Sequence, residues 1–138
     1  MAMKPGWRLV LLASLLFTGA GNRAASAAPP AAPAPGTLRC GWFENPTPAN
    51  AWLTDRHGEW TIGVQGGHQA EGDWPRFAPY RWVRTNGNYG YGCACIRWEA
   101  AANDFLVSKI ISSTSRPLAV CRKDRALKEP QADTSLPR

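Results

Sequence analysis

The chain has 138 residues, which suits one compact domain and is too short for two ordinary domains or for a nucleotide-binding α/β enzyme. Seven tryptophans and a charged fraction of only 19% exclude a disordered polyelectrolyte. The formal net charge is +6, and the four cysteines raise the question of the compartment in which the chain works.

Residues 1–27 have the features of a secretory signal peptide. Lys4 and Arg8 precede an uncharged apolar run at residues 9–18, and residues 25–27 offer the small side chains that a signal peptidase reads. A helix of this run spans about 15 Å, half of the roughly 30 Å core of a bilayer, so we expect no stable membrane insertion after cleavage. We predict cleavage after residue 27 and a periplasmic or secreted location. Cleavage removes three basic residues and no acid, which lowers the net charge from +6 to +3.

The rest of the chain divides into three segments by composition. Residues 28–37 are a Pro/Ala-rich linker, which favours extended polyproline II conformations and buries no surface. Residues 38–128 are expected to form a single β domain, and residues 129–138 a flexible tail.

Short strand-like runs between turn residues predict an all-β fold for this domain, a small antiparallel barrel or sandwich with two disulfides and little or no helix. The two prolines in Asn45-Pro46-Thr47-Pro48 are expected to end the first strand. The predicted strands cover residues 39–43, 59–65, 80–96 (a hairpin), 105–112 and 118–121, and a turn or two of helix is expected at 122–128.

The hairpin is predicted to turn at Asn86-Gly87, a dipeptide that favours a two-residue type I′ turn. This register places Arg84 opposite Tyr89, and the composition of the two faces follows from it. One face carries Tyr80, Trp82, Arg84, Tyr89 and Tyr91 together with Cys93 and Cys95. The other carries Gly90, Gly92 and Ala94, and it is smooth enough for another backbone or a ligand to approach closely.

The four cysteines predict disulfide bonds, because an even set in an exported protein is usually oxidised. Cys93 and Cys95 are two residues apart on one strand, with Cα atoms about 6.6 Å apart and parallel Cβ directions, which disfavours a bond between them. Each is expected to bond elsewhere, one to Cys40 and the other to Cys121. The residues leave open whether Cys40 pairs with Cys93 or with Cys95.

A thiolate metal carrier is one alternative function. Cys93 and Cys95 could bind zinc or cuprous copper, with His57 or His68 as a further ligand. The two histidines are eleven residues apart, which matches no recognised zinc motif, and an oxidising compartment favours disulfides. We therefore expect no metal ion and no cofactor.

The aromatic residues support two interpretations. Most tryptophans are expected to fill the core of a small domain that has few leucines and isoleucines. These core tryptophans are Trp42, Trp52, Trp60, Trp82 and Trp98. At the hairpin tip, however, tyrosine and arginine are residue types that dominate interface hot spots, which favours a binding surface there. The predicted binding residues are Arg81, Arg84, Tyr89 and Tyr91, with Trp82 beside them.

The expected function is that of a non-enzymatic binding module. Its partner would be a cell-wall glycan or a protein that the module inhibits. A nucleic acid would use the same aromatic and basic residues, but the predicted export argues against such a partner.

A small hydrolase is a second alternative function. Asp55, His57 and Glu59 lie close together in the loop-rich middle of the chain, and carboxylates with a histidine can serve nucleophilic or glycosidic chemistry. The sequence contains no G-x-S-x-G elbow, H-E-x-x-H helix or phosphate-binding loop. We therefore assign no catalytic residue and expect no enzymatic activity.

Short motifs are spread over the domain. They are Cys40-Gly41-Trp42-Phe43, followed by Asn45-Pro46-Thr47-Pro48, then Gly58-Glu59-Trp60, Gln65-Gly66-Gly67, Gly90-Tyr91-Gly92-Cys93-Ala94-Cys95 and Cys121-Arg122-Lys123-Asp124. Together they resemble an uncharacterised family of exported bacterial proteins, domain of unknown function 4087, over about residues 39–128. The resemblance implies a bacterial source and export. It implies no activity, because the family has none assigned.

Overall fold

The structure, a computed structural model, describes residues 36–100 and 105–130. The predicted signal peptide with its cleavage site, most of the predicted linker and most of the predicted tail lie outside the described residues. No helix in the described part of the chain has the length and apolar character that a membrane crossing requires.

The described residues form six β-strands, a 3₁₀ turn and one short helix. The strands are β1 (Thr37–Thr47), β2 (Asn50–Asp55), β3 (Gly58–Gly63), β4 (Trp82–Asn86), β5 (Tyr89–Ala100) and β6 (Val107–Arg116). The 3₁₀ turn is Pro79–Arg81 and the helix, α1, is Leu118–Lys123. All paired strands are antiparallel, which confirms the predicted all-β antiparallel fold with two disulfides and little helix.

The strands lie in one sheet, in the order β3-β2-β1-β5-β4, and β6 also pairs with β5. Strand β5 is the centre of the sheet. One of its edges pairs with β1, and the other pairs with β4 up to Gly92 and with β6 from Cys93 onward. The sheet of the described residues is not closed by a continuous ladder, so the sandwich-like form fits better than the closed barrel.

A loop between β3 and the 3₁₀ turn covers one face of the sheet. The Ala70 N–H donates to the Ile62 carbonyl of β3 at 2.8 Å. The Glu71 N–H donates to the Ser108 carbonyl at 3.0 Å, and the Glu71 carbonyl accepts from the Ile110 N–H at 2.7 Å. These bonds attach the loop to both β3 and β6, so the main core is enclosed between loop and sheet. Its buried residues include Phe43, Leu53, Ile62, Ile96, Trp98 and Val107.

Helix α1 and the segment after it cover part of the opposite face. The small buried cluster there consists of Trp42, Tyr91, Cys93 and Cys121. Leu127 packs against this cluster, and the Glu129 carboxylate accepts hydrogen bonds from the side chains of Arg122 at 2.8 Å and Tyr91 at 3.1 Å. The structure therefore holds Glu129 in place, although the sequence assigned it to the tail.

The tryptophans expected in the core differ in burial. Trp42 and Trp98 are buried, as predicted. Trp60 and Trp82 are partly buried and pack against the main core from its border. Trp52 is half-buried and belongs to neither buried cluster. The border position of Trp82 leaves one of its sides open to solvent.

The two disulfides join Cys40 to Cys95 and Cys93 to Cys121. Cys40 and Cys95 lie directly opposite each other in the β1–β5 ladder, whereas Cys121 reaches Cys93 from α1. The prediction that Cys93 and Cys95 bond to different partners is confirmed. Disulfides persist in oxidising compartments, so these two indicate a location outside the cytoplasm.

Two features of the first strands differ from the prediction. Strand β1 continues through Pro46, because the β1–β2 pairing is irregular between Glu44 and Thr47 and a proline there need not donate to the ladder. Strand β2 was not predicted. Its buried positions alternate as expected of a strand, but one of them is the polar Asp55, which obscures the pattern.

The strand predicted at 118–121 is wrong, because these residues begin helix α1. Pro117 sits at the N-cap, and a short apolar run alone does not distinguish a helix from a strand. The helix predicted at 122–128 is also wrong in extent, since α1 ends at Lys123. Beyond it, Asp124 accepts the Ala126 N–H at 3.0 Å and makes a turn.

Candidate functional site

The predicted register of the hairpin is wrong by one residue. The turn residues are Gly87 and Asn88, not Asn86 and Gly87, and Arg84 pairs with Gly90 where Tyr89 was expected. A type I′ turn would need positive φ at Asn86, which instead stays in β4 opposite Tyr89. Gly87 takes the first turn position with φ 58°, and the pairing shifts between Arg84 and Asn86, which leaves one extra residue in β4.

This one-residue shift moves the β4 side chains to the other face of the hairpin. Trp82 pairs with Gly92, so its indole lies on the face that the sequence predicted to be smooth. Arg84 lies on the same face. Val83, and not Trp82, packs against the cluster that contains Tyr91.

The structure does not bring the four predicted binding residues to one surface. Arg84 is exposed and Tyr89 is half-buried. Tyr91 is buried; burial raises the pKa of its hydroxyl, as does the Glu129 carboxylate that accepts its hydrogen bond. The Arg81 guanidinium donates to a backbone carbonyl of β6 at 2.9 Å. Of the four, Arg84 lines the cleft described next, and the other three do not.

An open cleft of about 310 Å³ lies on the Trp82 face of the hairpin. Its floor is the buried Phe43 ring, which lies 5.8 Å from Phe77 and 6.1 Å from Trp74 between ring centroids. The Phe77 ring is tilted against the Trp82 ring, with their centroids 4.8 Å apart. The Trp82 indole N–H donates to the Asn88 carbonyl at 3.1 Å, which fixes the orientation of the ring. Three partly buried rings therefore form the aromatic walls of this cleft.

Polar side chains line the rim of the same cleft. They belong to Asn45, Arg84 and Asn88. The Asn45 amide nitrogen donates to the backbone carbonyls of Thr47 and Asn50, at 2.9 and 2.6 Å, so its amide oxygen is the group available to a ligand. Apolar walls with a few convergent polar groups are typical of small-molecule sites. This arrangement makes the aromatic cleft the candidate functional site.

Because Gly92 has no side chain, the loop that carries Phe77 can lie directly on the sheet at this site. A Cβ atom at Gly92 would lie 2.5 Å from Phe77 Cε1 and 2.8 Å from the Arg81 carbonyl oxygen. The smooth face is closely approached, but mainly by the Phe77 side-chain ring, where another backbone or a ligand was predicted. Glycine at this position therefore determines how deep the aromatic cleft is.

We expect Gly92→Ala to push Phe77 off the sheet and to lower the free energy of unfolding by about 1–3 kcal/mol, because an inserted methyl group overpacks the site. Urea unfolding measures the loss. Gly67→Ala is the matched control, because a Cβ there meets its neighbours only at 3.7 Å and should change little. Equal stability of the two variants would contradict this account of the cleft.

Of the three residues named for the alternative hydrolase, Asp55 and His57 line one open cleft, whereas Glu59 does not line it. The Asp55 carboxylate is buried and accepts the His57 backbone N–H at 2.7 Å, and it pairs with Arg39 at 3.0 Å. The His57 side chain is exposed. Glu59 lies on the opposite face of the sheet, where its charge adds to the burial that raises the pKa of Glu44. The Asp55 carboxylate therefore stabilises the β2–β3 turn.

The two cysteines named for the alternative metal carrier are oxidised and are not thiolates. Cys93 and Cys95 are both in disulfides, whose sulfur atoms are not the thiolate ligands that zinc or copper needs. His68 Nε2 is 2.7 Å from the Val107 carbonyl. Within residues 36–100 and 105–130, no cluster of three or more His, Cys, Asp or Glu side chains is placed to hold a metal ion.

Sequence reasoning missed Trp74 and Phe77 as members of the site. Both lie in the loop between β3 and the 3₁₀ turn, where Pro75 and Pro79 restrict the backbone. The available signal was the combination of a proline-restricted aromatic loop with the glycines of β5. It indicated a close approach to the sheet without naming the loop as the approaching element.

A family model described as a protein of unknown function, DUF4087, matches residues 35–128. The match confirms the resemblance seen in the sequence motifs, and it includes all residues of the aromatic cleft and all four cysteines. Comparisons with curated proteins and with solved structures give no match. The geometry of the cleft is therefore the feature that indicates a function.

Proposed function

We propose that this chain, which belongs to the DUF4087 family of proteins of unknown function, is an exported, non-enzymatic module that binds a cell-wall glycan in the aromatic cleft. The observation that supports the proposal is the set of partly buried rings of Trp74, Phe77 and Trp82 around one open cleft with a polar rim.

A sugar ring suits this cleft by its chemistry. A pyranose presents apolar C–H groups on its faces and hydroxyl groups around its edge. The C–H faces can pack on the indole of Trp82, which gains from the large apolar area of an aromatic side chain. The hydroxyl groups can bond to the Asn45 oxygen and to the side chain of Asn88 at the rim.

Export is part of the proposal. The two disulfides indicate an oxidising location, and the N-terminal charge and apolar pattern predicts a signal peptide. Together they support a periplasmic or secreted protein, and such a protein meets cell-wall glycan and no cytoplasmic ligand.

We expect Trp82→Ala to weaken binding of a cell-wall oligosaccharide by about tenfold or more, because an aromatic residue at the centre of a site supplies much of the binding free energy. Isothermal titration with solubilised glycan fragments measures the affinity. Trp52→Ala is the matched control, since Trp52 is also half-buried but lies opposite Glu44, on the other face of the sheet.

Thermal unfolding of both variants separates lost binding from lost folding. An unchanged affinity in the folded Trp82 variant, or an equal loss in the Trp52 variant, would contradict the assignment of the cleft. Wild-type protein that binds no glycan fragment would overturn the proposed function itself.

A further inference from the structure

We propose that Arg84 selects glycans that carry a carboxylate, so that the aromatic cleft recognises an acidic sugar and not a neutral one. This inference rests on the proposed glycan-binding function and names the class of glycan. It follows from the position of Arg84, from its spacing to Trp82 and from the charge of the segment that builds the cleft.

Arg84 is a cation without a partner at the rim of the cleft. It is exposed, and in the described part of the chain its guanidinium makes no ion pair or hydrogen bond. The ion pairs of that part use other arginines, namely Arg39, Arg56 and Arg122. The planar fork of a guanidinium matches the two oxygens of a carboxylate, which favours this group over a hydroxyl.

The spacing of β4 places this cation beside the stacking ring. Trp82 and Arg84 are paired regularly with Gly92 and Gly90, so their side chains project from the same face of the sheet. Their Cα atoms are about 6.6 Å apart, the spacing of residues i and i+2 in a strand. That distance is close to the width of one pyranose ring with its substituent. A sugar stacked on Trp82 would therefore present a ring or side-chain carboxylate to Arg84.

The charge of the surrounding segment supports an anionic ligand. Residues 74–92 contain three arginines and no acidic residue. Arg81 donates to a backbone carbonyl, and no carboxylate neutralises it in the described part of the chain. The positive potential of these guanidinium groups favours an acid at the cleft and disfavours a cation.

The test measures the affinity of four tetrasaccharides for the full chain purified from its exported fraction. The four are a neutral N-acetylglucosamine tetramer, an alternating tetramer of N-acetylglucosamine and N-acetylmuramic acid, the same tetramer with esterified carboxyl groups, and a uronic acid tetramer. We expect at least one carboxylated tetramer to bind about tenfold more tightly than the neutral and esterified ones, as for a charge-assisted pair. The carboxylated tetramer that binds more tightly shows whether N-acetylmuramic acid or a uronic acid supplies the carboxylate.

The variants Arg84→Gln and Arg84→Lys localise the effect. We expect Arg84→Gln to abolish the preference, so that the variant binds the acidic and the neutral tetramer with equal affinity. Arg84→Lys should keep part of the preference, because it keeps the charge and loses the fork. Arg76→Gln is the control for net charge: it removes one charge of the same segment at an exposed residue that does not line the cleft, so most of the preference should remain.

Two results would overturn the inference and leave the proposed function in place. One is equal affinity of the wild-type chain for the neutral and acidic tetramers. The other is a loss in Arg84→Gln that is the same for both. Failure of the wild-type chain to bind any of the four would instead remove the proposed function and the inference with it.

Discussion

The double substitution Cys93→Ala and Cys121→Ala, which removes the Cys93–Cys121 disulfide, is expected to lower the free energy of unfolding by about 4 kcal/mol. The bond closes a loop with a sequence separation of 28 residues, for which chain entropy alone gives a loss of that size. Both cysteines are also 1% exposed, so their removal leaves a gap beside Trp42. Urea unfolding of the double variant measures the loss.

The same change should release the C-terminal segment. Helix α1 has six residues, too few to be stable without packing, and Cys93–Cys121 is its covalent link to the sheet. We expect trypsin to cut at Arg122 and Lys123 in the double variant while the sheet remains intact. The control is Cys40→Ala with Cys95→Ala, which removes a bond between two strands that a full ladder already pairs.

The control separates loss of stability from release of the helix. Its loop has a sequence separation of 55 residues, so its loss of stability should also be about 4 kcal/mol. Its C-terminal segment should nevertheless stay resistant to trypsin under native conditions. Equal protection of this segment in both double variants would show that α1 is held by packing alone.

The fold class could be predicted from the sequence because local signals determine it. Strand-length apolar runs, turn residues and paired cysteines all pointed to an all-β antiparallel domain with two disulfides. The exclusion of a Cys93–Cys95 bond needed only strand geometry. The choice between Cys93 and Cys95 for Cys40 could not be made, because it depends on the register of β1 against β5, which is a long-range property.

The candidate site was less predictable, because one residue of register decides which side chains share a face. The sequence pattern Asn86-Gly87 favours a type I′ turn, but the extra residue in β4 shifts the turn to Gly87 and Asn88. This shift moves Trp82 and Arg84 away from Tyr91. Arg84 lines the cleft, whereas Tyr89 and Tyr91, which were predicted to share its face, lie on the other face of the hairpin.

The aromatic walls of the cleft could not be predicted, because they depend on which part of the sheet the long loop after β3 contacts. Trp74 and Phe77 reach the sheet through hydrogen bonds that attach their loop to β3 and β6. These hydrogen bonds leave no periodic signal in the sequence. The glycines of β5 gave the only local indication, and they showed that something approaches without showing what.

Asp55 illustrates how a structural role can resemble a catalytic one in the sequence. Its Oδ1 accepts the backbone N–H groups of His57 and Gly58, at 2.7 and 3.1 Å, and the Trp60 indole N–H at 3.1 Å. Its Oδ2 pairs with Arg39 at 3.0 Å, and the carboxylate side chain is 4% exposed. The acidic and histidine residues of this region are near one another because Asp55 organises the turn.

We therefore expect Asp55→Ala to lower the free energy of unfolding by about 3–5 kcal/mol at neutral pH, because it leaves the Arg39 charge and several N–H groups without their acceptor. Asp55→Asn is the conservative control. It can keep the Oδ1 acceptor for His57 and Trp60 and loses only the charge toward Arg39, so its loss should be smaller. Urea unfolding of the two variants and the wild type gives the three values.

The pH dependence of these values tests the same interactions. Burial acts to raise the pKa of Asp55, but hydrogen bonds from the His57 N–H, the Trp60 indole and Arg39 outweigh it, so the pKa lies below its ordinary value. The charged carboxylate therefore contributes stability that is complete above the unfolded pKa of about 3.9 and is lost as the pH falls through the lower folded pKa. The difference in stability between wild type and Asp55→Asn should accordingly shrink below about pH 4. A difference that stays constant from pH 7 to pH 3 would contradict this assignment, because it would mean that the charge of Asp55 does not stabilise the folded state.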